Sequence, residues 1–285
     1  MRVTIIGAGK VGSALAIELF YKGYKICGIV DISRAKARKL GKVCDCNEIF
    51  SSLTQKTVNN SDLILLSISD DDLSKYHKIV KNINFKGRIL SHTSGLLTSE
   101  IFKDYNVYRK DSASFHPVQT FPVISYRNNN FLKGIYVGTE GGKSALKVIK
   151  GIIRKLGSTE ILLSRNKKPL FHLGCVISSN FTVANFYILK EFSRELGISE
   201  KKFLNVLNPL FTNTVENINK EGVISTLTGP VVRGDITTIQ SHIDLLHGKF
   251  PKFVEYYKHS SKILSEISAK KNMRVNIKRI LDLLS

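Results

Sequence analysis

One short turn constrains this chain more than any other feature. Gly7-Ala8-Gly9-Lys10-Val11-Gly12 follows the apolar run Val3 to Ile6 and opens a helical pattern from Gly12 to Tyr21. The spacing is G-x-G-x-x-G. Alone it is a weak pattern, and a tight turn without a ligand is its bland explanation. Between a strand and a helix it is a diphosphate-binding turn. Gly7 permits the sharp bend, Gly9 lets a pyrophosphate approach the backbone, and Gly12 lets helix and strand pack closely. Amides at the helix start and the positive end of its dipole hold the phosphates. Ala8, Lys10 and Val11 complete the expected set of contacts. Asp31 ends the second strand pattern about 20 residues on, where a carboxylate binds a ribose 2′-hydroxyl. Ser33 and Arg34 follow at once and offer the alternative, a grip on a 2′-phosphate. NAD(H) and NADP(H) both stay open.

The pattern around this turn divides the chain in two. In the first half apolar strands alternate with helices: strands at Val3 to Ile6, Lys25 to Val30, Leu63 to Ile68 and Arg88 to Ser91, with helices at Gly12 to Tyr21, Ser33 to Leu40 and Asp72 to Val80. Short strands near Ala113 to His116 and Ile135 to Gly138, a helix from Ser144 to Leu156 and a strand at Glu160 to Leu163 follow. Near-continuous apolar strands separated by helices imply a parallel sheet covered on both faces. From Pro169 onward only helical periodicity is found. One helix runs from Pro169 to Leu196 with Gly197 behind it. Another starts at Ser199-Glu200 and ends at Gly222. Asp235 caps a third that runs to His247 with Gly248 after it, and Ser261 to Lys270 and Val275 to Leu284 are also helical. The expected fold is an α/β dinucleotide-binding domain, 1–164, followed by an all-helical domain, 165–285. The polar basic run Ser164 to Lys168 is the linker.

Composition narrows the class. A chain of 285 residues with 42% hydrophobic and 23% charged residues buries a core without staples. No apolar stretch approaches the roughly 18 residues of a membrane span. Met1-Arg2 leads straight into a strand, so no signal peptide, a cytoplasmic location and no membrane partner are expected. Cys44-Asp45-Cys46 lacks the spacing of a zinc knuckle or a redox pair, and with Cys27 and Cys175 it reads as reduced thiols. The net charge of +20 is spread along the chain. Without an Arg-Gly tract or RNP-like motif it reads as solvated helix faces, not as a nucleic-acid surface. Asp70-Asp71-Asp72 reads as a helix cap, and no metal site is expected.

Polar loops at other strand ends supply candidate chemistry. Ser67-Ile68-Ser69 follows one strand and His92-Thr93-Ser94-Gly95 another; both suit the neighbourhood of a ribose and a nicotinamide ring. Ser114-Phe115-His116-Pro117-Val118-Gln119-Thr120-Phe121 sets His116 and Gln119 in a stiffened aromatic loop, either a structural turn or a pocket wall. His172 and Asn180 lie two turns apart on one helix face. Ser178, Ser179 and Asn180 interrupt an apolar helix, and buried polar groups there need partners: a neighbouring helix or a substrate. Arg233, before Asp235 in a rigid turn, suits a carboxylate. His242 follows in the next helix.

At these residues the chain resembles the Rossmann-like plus DUF2520 proteins, relatives of pyrroline-5-carboxylate reductase and of the 6-phosphogluconate-dehydrogenase-like superfamily. The resemblance rests on Gly7 to Gly12, on H-T-S-G at His92 to Gly95 and on F-H-P-V-Q-T-F at Phe115 to Phe121. It continues through His172 to Asn180, L-T-G-P-V-V-R-G-D at Leu227 to Asp235, and His242. It implies an NAD(P)H-dependent reductase of a small 2-oxo acid, ketopantoate first, in pantothenate and coenzyme A synthesis. A pyrroline-5-carboxylate-type imine reductase and a non-catalytic dinucleotide sensor are the alternatives. The usual ketopantoate reductases carry a lysine four residues before an asparagine; here Val176 stands before Asn180. His172 is then the expected proton donor and Asn180 the oxyanion donor. Arg233 would hold the substrate carboxylate, with Asp235, His242, Ser94, His116 and Gln119 beside it. A homodimer is also implied.

Overall fold

The computed structural model describes residues 1–121, 130–271 and 277–285. The chain forms two compact units, Met1–Asn180 and Phe181–Ser285. The first unit alternates as expected: β1 (Arg2–Ile6), α1 (Lys10–Tyr21), β2 (Lys25–Val30), α2 (Arg34–Val43), β3 (Ile49–Phe50), α3 (Gln55–Asn59), β4 (Leu63–Leu66), α4 (Asp70–Ile79) and β5 (Ile89–His92). After two 3-10 turns come β6 (Ser112–Pro117), β7 (Tyr136–Gly141), α5 (Lys143–Leu156) and β8 (Thr159–Leu162).

These strands make one eight-stranded sheet in the order β3-β2-β1-β4-β5-β6-β7-β8. Side chains alternate across a strand, and the two apolar clusters follow that alternation. Ile5, Leu63 and Leu65 join one cluster with Leu15 and Ile149. Ile6, Ile64 and Leu66 join the other with Leu73 and Phe102. Each face of the sheet is therefore buried under its own layer. The strand order reverses between β1 and β4, and in open α/β sheets ligands bind at that point, beyond the carboxyl ends of the strands.

Two sequence expectations need correcting here. The sheet is not wholly parallel: β6 and β7 pair antiparallel, Ala113 opposite Gly141 and Pro117 opposite Val137. A parallel neighbour needs a crossover, usually a helix, and the described residues between Pro117 and Tyr136 contain none. The Asp70-Asp71-Asp72 run is also not the cap of α4. Ser69 is: its hydroxyl accepts the Asp72 N–H at 3.1 Å, and the acids fill the first turn.

All regular elements described beyond Lys168 are helical. They are α6 (Lys168–Glu195), α7 (Glu200–Glu221), α8 (Val223–Thr226), α9 (Pro230–Arg233), α10 (Ile236–Lys249), α11 (Val254–Lys271) and α12 (Ile277–Leu284), with a 3-10 turn before α11. Gly197 stands behind α6 at φ 65° and Gly222 ends α7 at φ 82°, both in conformations that favour glycine. Val231, Ile239, Ile243, Ile280 and Leu284 form the core of the second unit. Gly248 lies inside α10 rather than after it. Asp235 occupies the N-cap position of α10 without capping it, because its carboxylate binds Arg233 instead. Of the expected Val275 to Leu284 helix, Val275 and Asn276 lie outside the described residues.

Candidate active site

The Gly7–Gly12 turn sits on the reversal point of the sheet. Gly7 has φ 97°, and a Cβ there would collide with the Ser67 carbonyl at the end of β4. A Cβ on Gly12 would collide with the Gly7 carbonyl, so these two glycines set the turn and its packing. Gly9 differs: no described atom lies within 4 Å of where its Cβ would stand. Its bareness is not needed by the protein's own packing and leaves room for a ligand against the backbone. The first amides of a helix have no intrahelical partner, the N-cap Gly9 supplies no side chain, and no acid occupies the first turn of α1. The turn fits a diphosphate.

Asp31 stands beside it. One carboxylate oxygen accepts the Ala8 N–H at 2.6 Å, the other the Ser33 N–H at 2.7 Å. Ser33 caps α2, and Arg34 is exposed at its first position. Ser67 is half-buried and accepts the Thr93 hydroxyl at 3.2 Å, which joins the ends of β4 and β5. Ile68 is half-buried and packs against the second sheet cluster, while Ser69 is exposed at the start of α4.

Further along the same edge, the chain after β5 is bare at Gly95. A Cβ there would collide with the His172 ring and stand 2.8 Å from His116 Cε1. The two imidazoles meet edge to face, with centroids 5.5 Å apart. His116 Nε2 and His172 Nδ1 are both buried and have no hydrogen-bond partner among the described residues. Burial, then the nearby Lys168 ammonium, push His116 down to about 4, and a hydrogen bond to the Thr93 backbone pulls the other way. His116 is neutral at pH 7.

Sequence reasoning missed Lys168. It was grouped with a polar linker, yet its side chain is fully buried. Its Nζ donates to the Ser94 carbonyl at 2.6 Å and to the Leu97 carbonyl. Burial pulls the ammonium down to about 8, against the pull of Glu140 and Asp70. The buried Glu140 carboxylate holds the next part of the same loop, accepting the Ser99 N–H at 2.7 Å and its hydroxyl at 2.8 Å, with Arg165 Nε at 2.9 Å. Lysine and glutamate thus pin the 94–99 loop from both ends. The available signal was spacing: Lys168 precedes His172 by four residues, one helical turn on one face.

The remaining candidates are placed less centrally. The Ser94 hydroxyl accepts the Leu96 and Leu97 N–H groups at 3.2 and 2.8 Å. Gln119 is exposed and accepts the Thr120 N–H. Ser178 and Asn180 are exposed while Ser179 is half-buried, so the expectation of buried polar groups on that helix is corrected for Ser178 and Asn180. In the second unit Arg233 binds Asp235 through two nitrogens, each at 2.8 Å. His242 Nδ1 lies 2.9 Å from the Tyr257 hydroxyl.

Fold and site define an α/β protein with a Rossmann-type phosphate turn and a helical C-terminal half. The chain belongs to the Rossmann-like plus DUF2520 family. Residues 1–107 match the Rossmann-like domain and residues 135–263 match the domain of unknown function DUF2520. No curated protein sequence matches it. Among solved structures it is similar to a Bacteroides fragilis protein described as a candidate NADP oxidoreductase, at 22% identity and a TM-score of 0.76, over 93% of this chain and 98% of that one. It is similar to a Thermotoga maritima protein at 26% identity and 0.70, over 94% and 99%. An imine reductase from Myxococcus stipitatus, solved with NADP+, aligns at 13% identity and 0.70 over the whole of both chains. No helix among the described residues is long and apolar enough to cross a membrane.

Proposed function

We propose that the chain is an NAD(P)-dependent oxidoreductase that reduces a small 2-oxo acid, ketopantoate first. The observation that carries the reading is the convergence at Gly95. Two buried imidazole nitrogens lack partners there, on the strand-end edge that also bears a diphosphate turn. A buried polar atom without a partner is costly, and a substrate oxygen supplies one. A dinucleotide sensor would need the turn but not this pair.

A bound nicotinamide supplies hydride chemistry to the carbonyl carbon. The chain's own residues do the rest. The helix-start amides from Gly9 onward hold the diphosphate, and Asp31 holds the adenosine ribose. His172 delivers a proton to the carbonyl oxygen as it becomes an alkoxide. His116, neutral, accepts a hydrogen bond through Nε2 from a substrate hydroxyl, not from its carbonyl or carboxylate oxygens, and so fixes the substrate's orientation. Lys168 positions the loop that carries Gly95, and burial, then the Lys168 charge, keeps His116 unprotonated. Asn180 is the second proposed donor to the oxygen. The exposed apolar row of α7 is the surface for a second copy of the chain.

The test is oxidation of NADH or NADPH with ketopantoate, beside pyrroline-5-carboxylate and other oxo acids. No turnover of ketopantoate with either cofactor rejects the substrate; turnover of the imine instead moves the reading to imine reduction. His172→Ala is expected to lower kcat by about 10²–10⁴-fold with the dinucleotide Kd unchanged. A loss of affinity at constant kcat would reject the acid role.

A further inference from the structure

Helix α5 combines a row of cations with a glycine that the fold does not use. It exposes Lys143, Lys147, Lys150, Arg154 and Lys155 and carries no acid. Residues three and four apart are neighbours on a helix, and like charges there repel. The dipole accounts for Arg154 and Lys155 in the last turn, but not for Lys143 in the first, where a cation is disfavoured. Composition does not account for it either: on α4 Asp70, Asp71 and Asp72 accompany Lys75 and Lys78. Lys150 lies 3.7 Å from Glu160, its carboxylate partner among the described residues, and Lys155 stands over the Tyr24 ring at 4.6 Å.

Gly151 interrupts the row. Glycine inside a helix is less favourable than alanine, so it calls for a reason. Gly41 in the equally basic α2 has one: a Cβ there would collide with the Cys46 carbonyl. Gly151 is exposed, and no described atom lies within 4 Å of where its Cβ would stand. Its bareness leaves a hollow lined by Lys147, Lys150, Arg154 and Lys155. A second hollow shares Lys147 and Gly151 and reaches Met1, Tyr24 and Ile89, at the amino ends of β1, β2 and β5. The Gly7–Gly12 turn lies at the opposite, carboxyl edge of the sheet.

We propose that the hollow at Gly151 binds a short chain of phosphates on a small soluble anion. Lysine and arginine are the side chains that hold phosphate, and four of them surround one bare stretch of backbone. The row from Lys147 to Lys155 covers about 12 Å of helix. A nucleic-acid duplex needs a larger footprint, about 600–1,000 Å² even for one small module. A basic helix that lies on an anionic bilayer inserts apolar residues, and α5 exposes no large apolar side chain. The site shares no residue with the dinucleotide reading and does not rest on it.

The experiment is a calorimetric titration of the full chain with inorganic triphosphate and with ATP. Equal affinities assign the site to the phosphates alone, and tighter ATP to the tail of a nucleotide. Gly151→Glu sets a carboxylate between Lys147 and Lys155. It is expected to raise the melting temperature and to weaken triphosphate at least about tenfold, with the Kd for NADH unchanged. Arg38→Gln/Lys42→Gln removes two charges from α2, which has no such hollow, and is expected to leave the triphosphate Kd within about twofold in physiological salt. Undiminished binding by Gly151→Glu, equal weakening by the α2 variant, or no uptake of triphosphate by the unaltered chain overturns the site. A lower melting temperature in Gly151→Glu overturns the claim that the fold does not use this glycine. Tighter binding of duplex DNA or of phosphatidylserine vesicles than of triphosphate, lost in Gly151→Glu, overturns the small anion as occupant.

Discussion

Helices α5 and α7 carry similar amphipathic patterns and meet opposite fates. α5 buries Ala145, Ile149, Ile152, Ile153 and Leu156 against the sheet. α7 buries nothing among the described residues: Val206, Leu210 and Phe211 are 65%, 67% and 42% exposed, and Val215 and Ile218 also face out. Periodicity reports that a face is apolar; it does not report what covers it. In α5 the cover is the same chain's sheet. In α7 the cover is partial, with Phe211 against the Phe186 ring of α6, and a second copy is the proposed cover for the rest. A contiguous exposed apolar row is the kind of surface that marks an interaction site.

The largest expected effect separates the two helices directly. Leu156→Ala is expected to cost about 2–5 kcal/mol in denaturant unfolding, because it leaves a cavity in a closed core. Leu210→Ala is expected to stay within about 0.5 kcal/mol for an uncovered monomer. An equal loss for both would show that α7 is covered in solution, and a sedimentation measurement would then find a dimer that Leu210→Asp dissociates.

A second contrast lies between buried and exposed imidazoles. Burial, reinforced by Lys168, pushes His92 down to about 3 and His116 down to about 4. Both are depressed below the unfolded value near 6.5, so the unfolded chain binds more protons between these limits. Their contribution to the stability of the first unit is therefore complete above about pH 6.5 and is lost progressively as pH falls toward and through 4 and 3. Melting temperature measured from pH 7 down to 3 is expected to fall by several degrees, and His116→Asn is expected to flatten part of that slope. A flat acid limb in the unaltered chain would refute the burial of the pair.

The smallest effect belongs to the second unit's surface. The Arg233 and Asp235 side chains are 61% and 38% exposed, and such pairs contribute about 0–1 kcal/mol. Arg233→Ala is expected to change stability by no more than that in urea. A larger loss would mean the pair holds the turn before α10 together.

Much of this is legible in the sequence itself. Strand and helix alternation, the phosphate turn, Asp31 and the helical second half follow from short-range rules that act within a few residues. What was illegible depends on distant partners. The antiparallel β7 is decided by the form of a connection, not by its own residues. Ser69 and the three acids after it are all capping residue types, and only geometry chooses Ser69. Asp235 reads as a cap until Arg233 takes its carboxylate. Lys168 reads as solvated because its compensation comes from carbonyls about seventy residues away in sequence. Exposed Asn180 shows the reverse error: a polar residue in an apolar helix needs no buried partner when it faces water, and the Ser178 hydroxyl simply turns back to the Gly174 carbonyl.

Gly95 carries one more consequence. The space that a side chain would fill there is taken by the two imidazoles, which close on the bare main chain, and main chain has no rotamers. The rings can tilt, but the surface they rest on neither swells nor retracts with them. Their spacing is thus set by the lack of a single methyl group, a gauge that side-chain relaxation cannot reset.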